Sequence, residues 1–312
     1  MSEFAVRPDV RVFLEAMKAQ PRPPMNDAVV AMIRQIPPGT MPSPDLPVGE
    51  IAHVRDLAMP GPGGEIPLRL YDARETRGPG PVVVFYHGGG FVVGSIDTHG
   101  SMAASLARGL DLPVVFVDYR LAPEHPWPAA PDDAEAAARW IAANGAALGR
   151  EATSLVICGD SAGGELTLVT GLALRDAPAA VPVDLLFAIY PAADRGGGHA
   201  SSERFSEGLG LDRADTRYFE QAYASDRSHW RGAPLKGDPA GLAPLLLVTA
   251  EFDPLRDEGR AFAAKAIGAG VDVLYREAKG MIHGFATYRA GIPSARVEFG
   301  ALIGDARRML ER

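Results

Sequence analysis

A serine between two glycines is the residue of this chain best placed for covalent chemistry. Ser161 lies at the centre of GDSAG, which matches the pattern G-x-S-x-G. An apolar, β-branched run precedes the motif and good helix formers follow it, which is the strand–turn–helix context of a nucleophile elbow. In such an elbow Gly159 and Gly163 leave room for the sharp reversal, and the Ala162 amide points into the space beside the serine hydroxyl.

A glycine loop upstream of the elbow supplies candidate donors for an oxyanion. A serine hydroxyl alone is a poor nucleophile and needs a base, a group that orients the base, and hydrogen-bond donors for the oxyanion. Gly88, Gly89 and Gly90 follow the apolar run at 82–86 directly, and their amides are not shielded by side chains. Because this loop precedes the elbow by one strand–helix–strand unit, we predict an oxyanion hole made by its amides and that of Ala162.

The base should be a histidine downstream of the serine, because the chain order in elbow folds is serine, carboxylate, histidine. His283 follows the last predicted strand, at a carboxyl end where open α/β sheets assemble their sites. His199 falls in a glycine-rich stretch and His229 in a polar one, so both are interpreted as surface or lid residues. We therefore predict that His283 is the base.

The orienting carboxylate should follow the penultimate strand, and Asp253 is the preferred candidate. It precedes Pro254, whose fixed geometry ends the strand and sets a turn. Asp257 and Glu258 fall in the first turn of the next predicted helix, where the helix dipole explains them. Glu251 is interpreted as a strand-end hydrogen-bonding residue. The sequence thus predicts a Ser-His-Asp triad.

The elements that must position these residues alternate between strand and helix. Continuous apolar runs separated by amphipathic stretches are typical of a doubly wound α/β sheet with helices on both faces, and two earlier strands predict an antiparallel start. The pattern therefore predicts a mostly parallel, twisted, eight-stranded sheet. Strands are predicted at 51–59, 66–71, 82–86, 114–117, 155–157, 185–189, 245–249 and 271–275, and helices at 101–110, 132–143, 164–175, 256–267 and 294–310.

Two N-terminal helices and one long connection predict a helical cap. Amphipathic helices are predicted at 10–20 and 26–36, the second with Asn26 as its N-cap, and the proline- and glycine-rich passage 37–47 predicts a linker or hinge. Apolar faces this small cannot fold alone, so we expect both helices to pack over the carboxyl ends of the strands. The predicted organisation is cap helices and linker over 1–48, a catalytic domain over 49–312, and a cap-completing insertion at about 196–232 with a helix at 212–224.

Five motifs together resemble the hormone-sensitive-lipase-like family of α/β hydrolases, from about Val54 to the C-terminus. They are HGGGF at 87–91, YRLAPEHPWPAA at 119–130, GDSAGG at 159–164, EFDPLRDEG at 251–259 and GMIHGF at 280–285. The resemblance implies an α/β-hydrolase fold, an N-terminal cap and carboxylesterase activity. It also implies Ser161 as nucleophile, Asp253 and His283 as its partners, and the glycine-loop and Ala162 amides as the oxyanion hole. Glu165 is a departure, since the family usually has asparagine after GDSAGG.

Composition limits the partners and the chemistry. A net charge of −8 argues against nucleic acid or a stable association with an anionic membrane, and a homodimer is compatible with the sequence. The N-terminal residues show no signal-peptide core, which predicts a cytoplasmic location. Cys158, at the end of a buried strand, is interpreted as an inert core thiol.

The predicted reaction is hydrolysis of short- to medium-chain carboxylic esters through an acyl-enzyme, with a small-molecule ester as substrate and no cofactor or metal. The same groups could serve an amidase, a lactonase or an acyltransferase. A ligand receptor of this fold is the alternative outside enzymes, and the presence of serine, histidine and carboxylate argues against it.

Overall fold

An eight-stranded sheet forms the centre of the protein, in a computed structural model that describes residues 4–20, 23–36, 44–194 and 198–312. The strand order is β1-β2-β4-β3-β5-β6-β7-β8. The strands are β1 (His53–Gly61), β2 (Gly64–Asp72), β3 (Gly80–Tyr86), β4 (Val114–Val117), β5 (Ala152–Asp160), β6 (Val183–Ile189), β7 (Leu245–Phe252) and β8 (Val273–Ile282). β1 pairs antiparallel with β2, β2 pairs antiparallel with β4, and the remaining neighbours are parallel. The predicted mostly parallel sheet with an antiparallel start is confirmed.

Helices cover both faces of this sheet. They are α1 (Pro8–Ala19), α2 (Asp27–Gln35), α3 (Ile96–Leu110), α4 (Ala129–Ala143), α5 (Gly145–Leu148), α6 (Ala162–Asp176), α7 (Ala200–Arg204), α8 (Arg213–Tyr223), α9 (Arg256–Gly268) and α10 (Pro293–Leu310). In β3, Val82 and Val84 face the apolar cluster that includes α4, α6 and α9, whereas Val83 and Phe85 face the cluster that includes α3 and α10. Burial on both sides explains why the central strands are continuous apolar runs.

Several elements extend beyond their apolar patterns. α3 begins at Ile96 rather than at the predicted residue 101, because Ser95 forms a capping box with Thr98. β7 and β8 extend to Phe252 and Ile282, which pair with each other, although the apolar pattern ends earlier. Backbone hydrogen bonds between the two neighbouring strands therefore extend β7 and β8 beyond their apolar runs, almost to Asp253 and His283.

The N-terminal helices pack on different parts of the molecule. Val10 and Leu14 of α1 are buried in the cluster that includes α10, and the Arg7 amide donates to Gly280 O over 3.2 Å, near the end of β8. The Asn26 side chain accepts from the Val29 amide at 3.0 Å, which confirms the predicted N-cap of α2. Predictions for 37–43 within the linker, and for 196–197 at the start of the insertion, lie outside the described residues.

Arg34 attaches α2 to the catalytic body near the glycine loop. Its Nη2 donates to the carbonyl oxygens of Val92 and Ala122, both over 2.6 Å.

None of the helices in the described ranges combines the length and apolar character needed to cross a bilayer.

Candidate active site

Ser161 lies on a strained turn between β5 and α6. Its φ of 54° and ψ of −116° fall in a region that non-glycine residues rarely adopt. A Cβ on Gly159 would lie 2.2 Å from Gly163 O, and one on Gly163 would lie 2.0 Å from Tyr86 O. The two glycines therefore permit the close approach of strand and helix that lifts Ser161 out of the sheet, as an elbow requires.

The structure brings Ser161, His283 and Asp253 together in a hydrogen-bonded chain. His283 Nε2 lies 2.9 Å from Ser161 Oγ, and His283 Nδ1 lies 2.7 Å from Asp253 Oδ2. Asp253 follows β7 and His283 follows β8, and because these neighbouring strands are parallel their carboxyl ends meet at one edge of the sheet. The arrangement has the geometry of a serine nucleophile, a base and an orienting carboxylate.

The surroundings of His283 favour its charged form. Burial by itself lowers the pKa of His283, but the negative charge and hydrogen bond of Asp253 outweigh it, so the pKa is raised above its ordinary value. Asp253 is fully buried, and its second oxygen accepts the Leu255 amide at 2.8 Å. That bond fixes the carboxylate in the orientation in which it faces the imidazole.

The amides of the predicted oxyanion hole divide into two groups. The Gly88 amide donates to Asp160 Oδ1 over 2.9 Å. Gly88 is thereby committed to a buried carboxylate and does not line the cavity. Gly89, Gly90 and Ala162 line the cavity beside Ser161, and no acceptor for their amides is found within the described part of the chain. The structure thus leaves three of the four predicted amides available to a ligand.

Asp160, the residue before Ser161, links the elbow to the glycine loop through its bond with the Gly88 amide. It is 3% exposed, and burial raises its pKa above the ordinary value for an aspartate. His99 of α3 places its Nε2 3.8 Å from Asp160 Oδ1, and the Tyr190 hydroxyl donates to Asp160 Oδ2 over 3.4 Å. Sequence reasoning missed His99, because a single histidine just before a predicted helix carries no local signal of this contact.

A cavity of about 400 Å³ opens in front of Ser161. Ile33 of α2 lines one wall and Phe219 of α8 another, with Phe219 lying directly against Gly90. Among the residues of α1 that the structure describes, none lines this cavity. The predicted packing of N-terminal helices over the strand ends is therefore seen for α2, while α1 lies against β8 and α10.

The other acidic residues after β7 have structural partners. Glu251 Oε2 accepts the Gly280 amide at 2.7 Å, as expected of a strand-end residue. Asp257 lies in the first turn of α9, pairs with Arg256 and accepts the Ser201 amide at 3.0 Å. Asp253 is thus the residue of this group that contacts His283.

Several polar residues of the insertion line the cavity, among them His199, which the sequence left as a surface or lid residue, and Arg213, to which it assigned no role. His199 Nε2 lies 2.9 Å from Asp194 Oδ2, and Arg213 donates to Ser206 Oγ over 2.9 Å. Their positions in the cavity wall could not be predicted, because the path of a long connection cannot be derived from its own residues.

Tyr119, Arg120 and Glu165 do not line the cavity. The Tyr119 hydroxyl donates to His87 O over 2.6 Å, and the Arg120 guanidinium pairs with the buried Asp133 at 2.7 Å. Glu165 is 1% exposed in the first turn of α6.

Cys158 is buried, and burial raises the pKa of its thiol well above the ordinary value. In the described ranges, no group of three or more His, Cys, Asp or Glu side chains is arranged to hold a metal ion.

A doubly wound sheet with a serine elbow at the carboxyl ends of its strands defines the class of α/β hydrolases. The profile described as alpha/beta hydrolase fold matches residues 83–287. The chain belongs to this family and, within it, to the hormone-sensitive-lipase-like branch expected from its motifs.

Curated relatives and solved structures of this family are similar over most of the chain. The esterase LipI of Mycobacterium tuberculosis is 36% identical over 259 residues, which cover 81% of each chain. An ethyl acetate hydrolase of Pseudomonas putida is 37% identical over 72% of each chain. A solved ester hydrolase from the metagenome of Lake Arreo is 35% identical with a TM-score of 0.89, over 98% of this chain and all of the other.

Proposed function

We propose that this protein is a serine carboxylesterase that hydrolyses small carboxylic esters through an acyl-enzyme. The observation that carries the proposal is the continuous contact from Ser161 Oγ through the His283 ring to the buried Asp253. The activities named for the relatives, which are esterases and an ethyl acetate hydrolase, favour an ester over the amide, lactone or acyl-transfer alternatives.

In the first half of the reaction, His283 Nε2 takes the proton of Ser161 Oγ as that oxygen attacks the ester carbonyl. Asp253 holds the Nδ1 proton in place and stabilises the imidazolium that forms. The imidazolium then protonates the alkoxide leaving group, the alcohol departs, and the acyl group remains on Ser161. In the second half, water loses a proton to His283 and attacks the acyl-enzyme, and the imidazolium then returns that proton to Ser161 Oγ as the acid is released.

The oxyanion of each tetrahedral intermediate is held by backbone amides. We assign this role to Gly89, Gly90 and Ala162, whose amides lie beside Ser161 at the cavity wall. Gly88 does not contact the oxyanion in this proposal. Its bond to Asp160 holds the loop in the position that directs the amides of Gly89 and Gly90 into the cavity. Preorganised donors of this kind need no rearrangement when the charge develops.

The cap proposed for the ester site consists of α2 and the insertion that carries α7 and α8. A cavity of about 400 Å³ between them suits short- to medium-chain acyl esters. The homodimer and the cytoplasmic location remain predictions from the sequence, which size-exclusion chromatography and cell fractionation would test.

The first experiment removes the nucleophile. Ser161→Ala should lower turnover of p-nitrophenyl acetate by about 10⁵-fold or more, as loss of the serine does in other triads. A phosphonate ester should label the wild-type chain by one covalent adduct and leave the variant unlabelled in a mass spectrum.

Ser202→Ala is the matched control. Ser202 lines the same cavity, but its hydroxyl donates to the His199 carbonyl over 2.7 Å rather than to a base. This variant should keep turnover near that of the wild type. Near-normal turnover in Ser161→Ala, or labelling at a residue other than Ser161, would overturn the proposal.

A further inference from the structure

A second cavity lies at the opposite end of the sheet from Ser161. It has a volume of about 350 Å³ and is lined by the start of β1, the end of β2, the loop that leads to β3, and the residues just before β5. These are the amino ends of the parallel strands, whereas the ester site lies at their carboxyl ends. We call it the arginine cleft, after Arg55, Arg74, Arg77 and Arg150, which line it.

Two of these arginines have carboxylate partners. Arg77 Nε donates to Asp72 over 2.7 Å and its Nη2 to Asp111 over 3.0 Å. Arg74 Nε donates to Asp111 over 2.8 Å. The positive charge of this pair is largely balanced within the protein.

Within the described residues, neither of the other two arginines forms an ion pair with a carboxylate. Arg55 donates one hydrogen bond, to the Ala147 carbonyl over 2.8 Å. Arg150 Nε and Nη1 are buried, and neither has a hydrogen-bond partner in the described part of the chain. A buried guanidinium donor without an acceptor is costly, so a native protein normally supplies one from a side chain, water or ligand.

The backbone leaves a place for the Arg150 guanidinium. Gly80 lies beside it, and a Cβ at Gly80 would lie 2.3 Å from Arg150 Nη2. Burial and then the positive charge of Arg77 lower the pKa of Arg150 below its ordinary value, and the negative charge of Asp72, which also lines the cleft, does not outweigh them. An anion in the cleft would offset both effects, because it would supply acceptors for the buried donors and a negative charge near the guanidinium groups of Arg150 and Arg55.

We propose that the arginine cleft binds a small organic phosphate monoester, with Arg150 and Arg55 holding the phosphate oxygens. A guanidinium binds phosphate through two parallel hydrogen bonds, and a phosphate dianion has enough oxygens for two guanidinium groups at once. Leu70 and Leu148 also line the cleft and provide an apolar surface for the organic group of the ester. The site is independent of ester hydrolysis, since it shares no lining residue with the Ser161 cavity.

Phenyl phosphate is a suitable probe, measured by isothermal titration calorimetry on the full chain at constant ionic strength. Wild-type protein should show saturable binding of one molecule per chain. Arg150→Gln should weaken the affinity by about tenfold or more, because it removes charge-assisted hydrogen bonds to the phosphate. Arg55→Gln, on the exposed edge strand, is a second variant that should weaken binding without disturbing a buried group.

Arg296→Gln is the matched control. Arg296 is an exposed residue of α10 outside the cleft, so its loss changes the net charge equally and should leave binding unchanged. Hydrolysis of p-nitrophenyl acetate should be normal in all three variants and unaffected by phenyl phosphate, which verifies folding and places the ligand away from Ser161. Absence of binding to the wild type, equal binding to Arg150→Gln, or tighter binding of benzoate than of phenyl phosphate would overturn the proposal.

Discussion

The charge of Asp253 acts on Ser161 through one imidazole ring, so the protonation of His283 should govern the rate. His283 is a base only when neutral, and the Asp253 charge, which outweighs burial, raises its pKa. We expect kcat/KM to rise with pH along an acid limb whose midpoint lies above about 6.5, the ordinary value for histidine. A pH profile measured with p-nitrophenyl acetate tests this, and a midpoint below the ordinary value would contradict it.

Asp253→Asn should move that midpoint in the opposite direction. The substitution removes the charge that raises the pKa of His283 and leaves the burial that lowers it, so the acid limb should shift to lower pH. Turnover at the plateau should fall by about 10⁴-fold, because the neutral amide also favours the wrong tautomer.

Asp257→Asn is the control for this variant. Asp257 lies four residues further along the chain in the first turn of α9 and contacts Arg256 rather than His283. It should leave both the plateau and the midpoint nearly unchanged. Equal losses in the two variants would remove the basis for assigning Asp253 as the orienting carboxylate.

At the scale of elements, α2 is joined to the catalytic body by Arg34. Its guanidinium bonds to the carbonyls of Val92 and Ala122, and Ile33 beside it lines the cavity wall. Arg34→Ala should therefore loosen the wall and raise KM for short acyl esters by about tenfold, with a smaller loss in kcat. Steady-state kinetics on p-nitrophenyl butyrate separates the two parameters.

Arg11→Ala on α1 is the corresponding control, because among the described residues its side chain makes no hydrogen bond or ion pair and does not line the cavity. Its KM should match that of the wild type. A substitution is sharper here than deletion of residues 1–36, because deletion would also remove Val10 and Leu14 from the core. An unchanged KM in Arg34→Ala would show that α2 does not position the acyl group.

At the scale of the whole molecule, the size of the enclosed space sets the substrate range. Because the cavity of about 400 Å³ is bounded by α2 on one side and α8 on another, acetyl to hexanoyl esters should be hydrolysed faster than dodecanoyl or longer ones. We also expect no jump in rate when a substrate passes its solubility limit. A graded p-nitrophenyl ester series measures both, and fastest turnover on long-chain emulsions would contradict the prediction.

Local signals in the sequence were sufficient for most of the fold. Central strands such as β3 are buried on both faces, so their continuous apolar runs marked them directly. The ends of β8 and α3 were misplaced, since they depend on pairing with β7 and on the Ser95 capping box. His199 shows most clearly what the sequence could not predict, because its place in the cavity wall depends on the path of the whole insertion.

The sequence by itself determined which residue types were present and on which elements they lie. Ser161 on an elbow, a glycine loop after β3, Asp253 after β7 and His283 after β8 all follow from short motifs and strand order. Only the tertiary structure decided which groups meet, since Ser161 and His283 are 122 residues apart and approach through the common edge of parallel strands. It also decided that the Gly88 amide turns to Asp160 while its neighbours face the cavity, because a buried carboxylate takes the nearest donor.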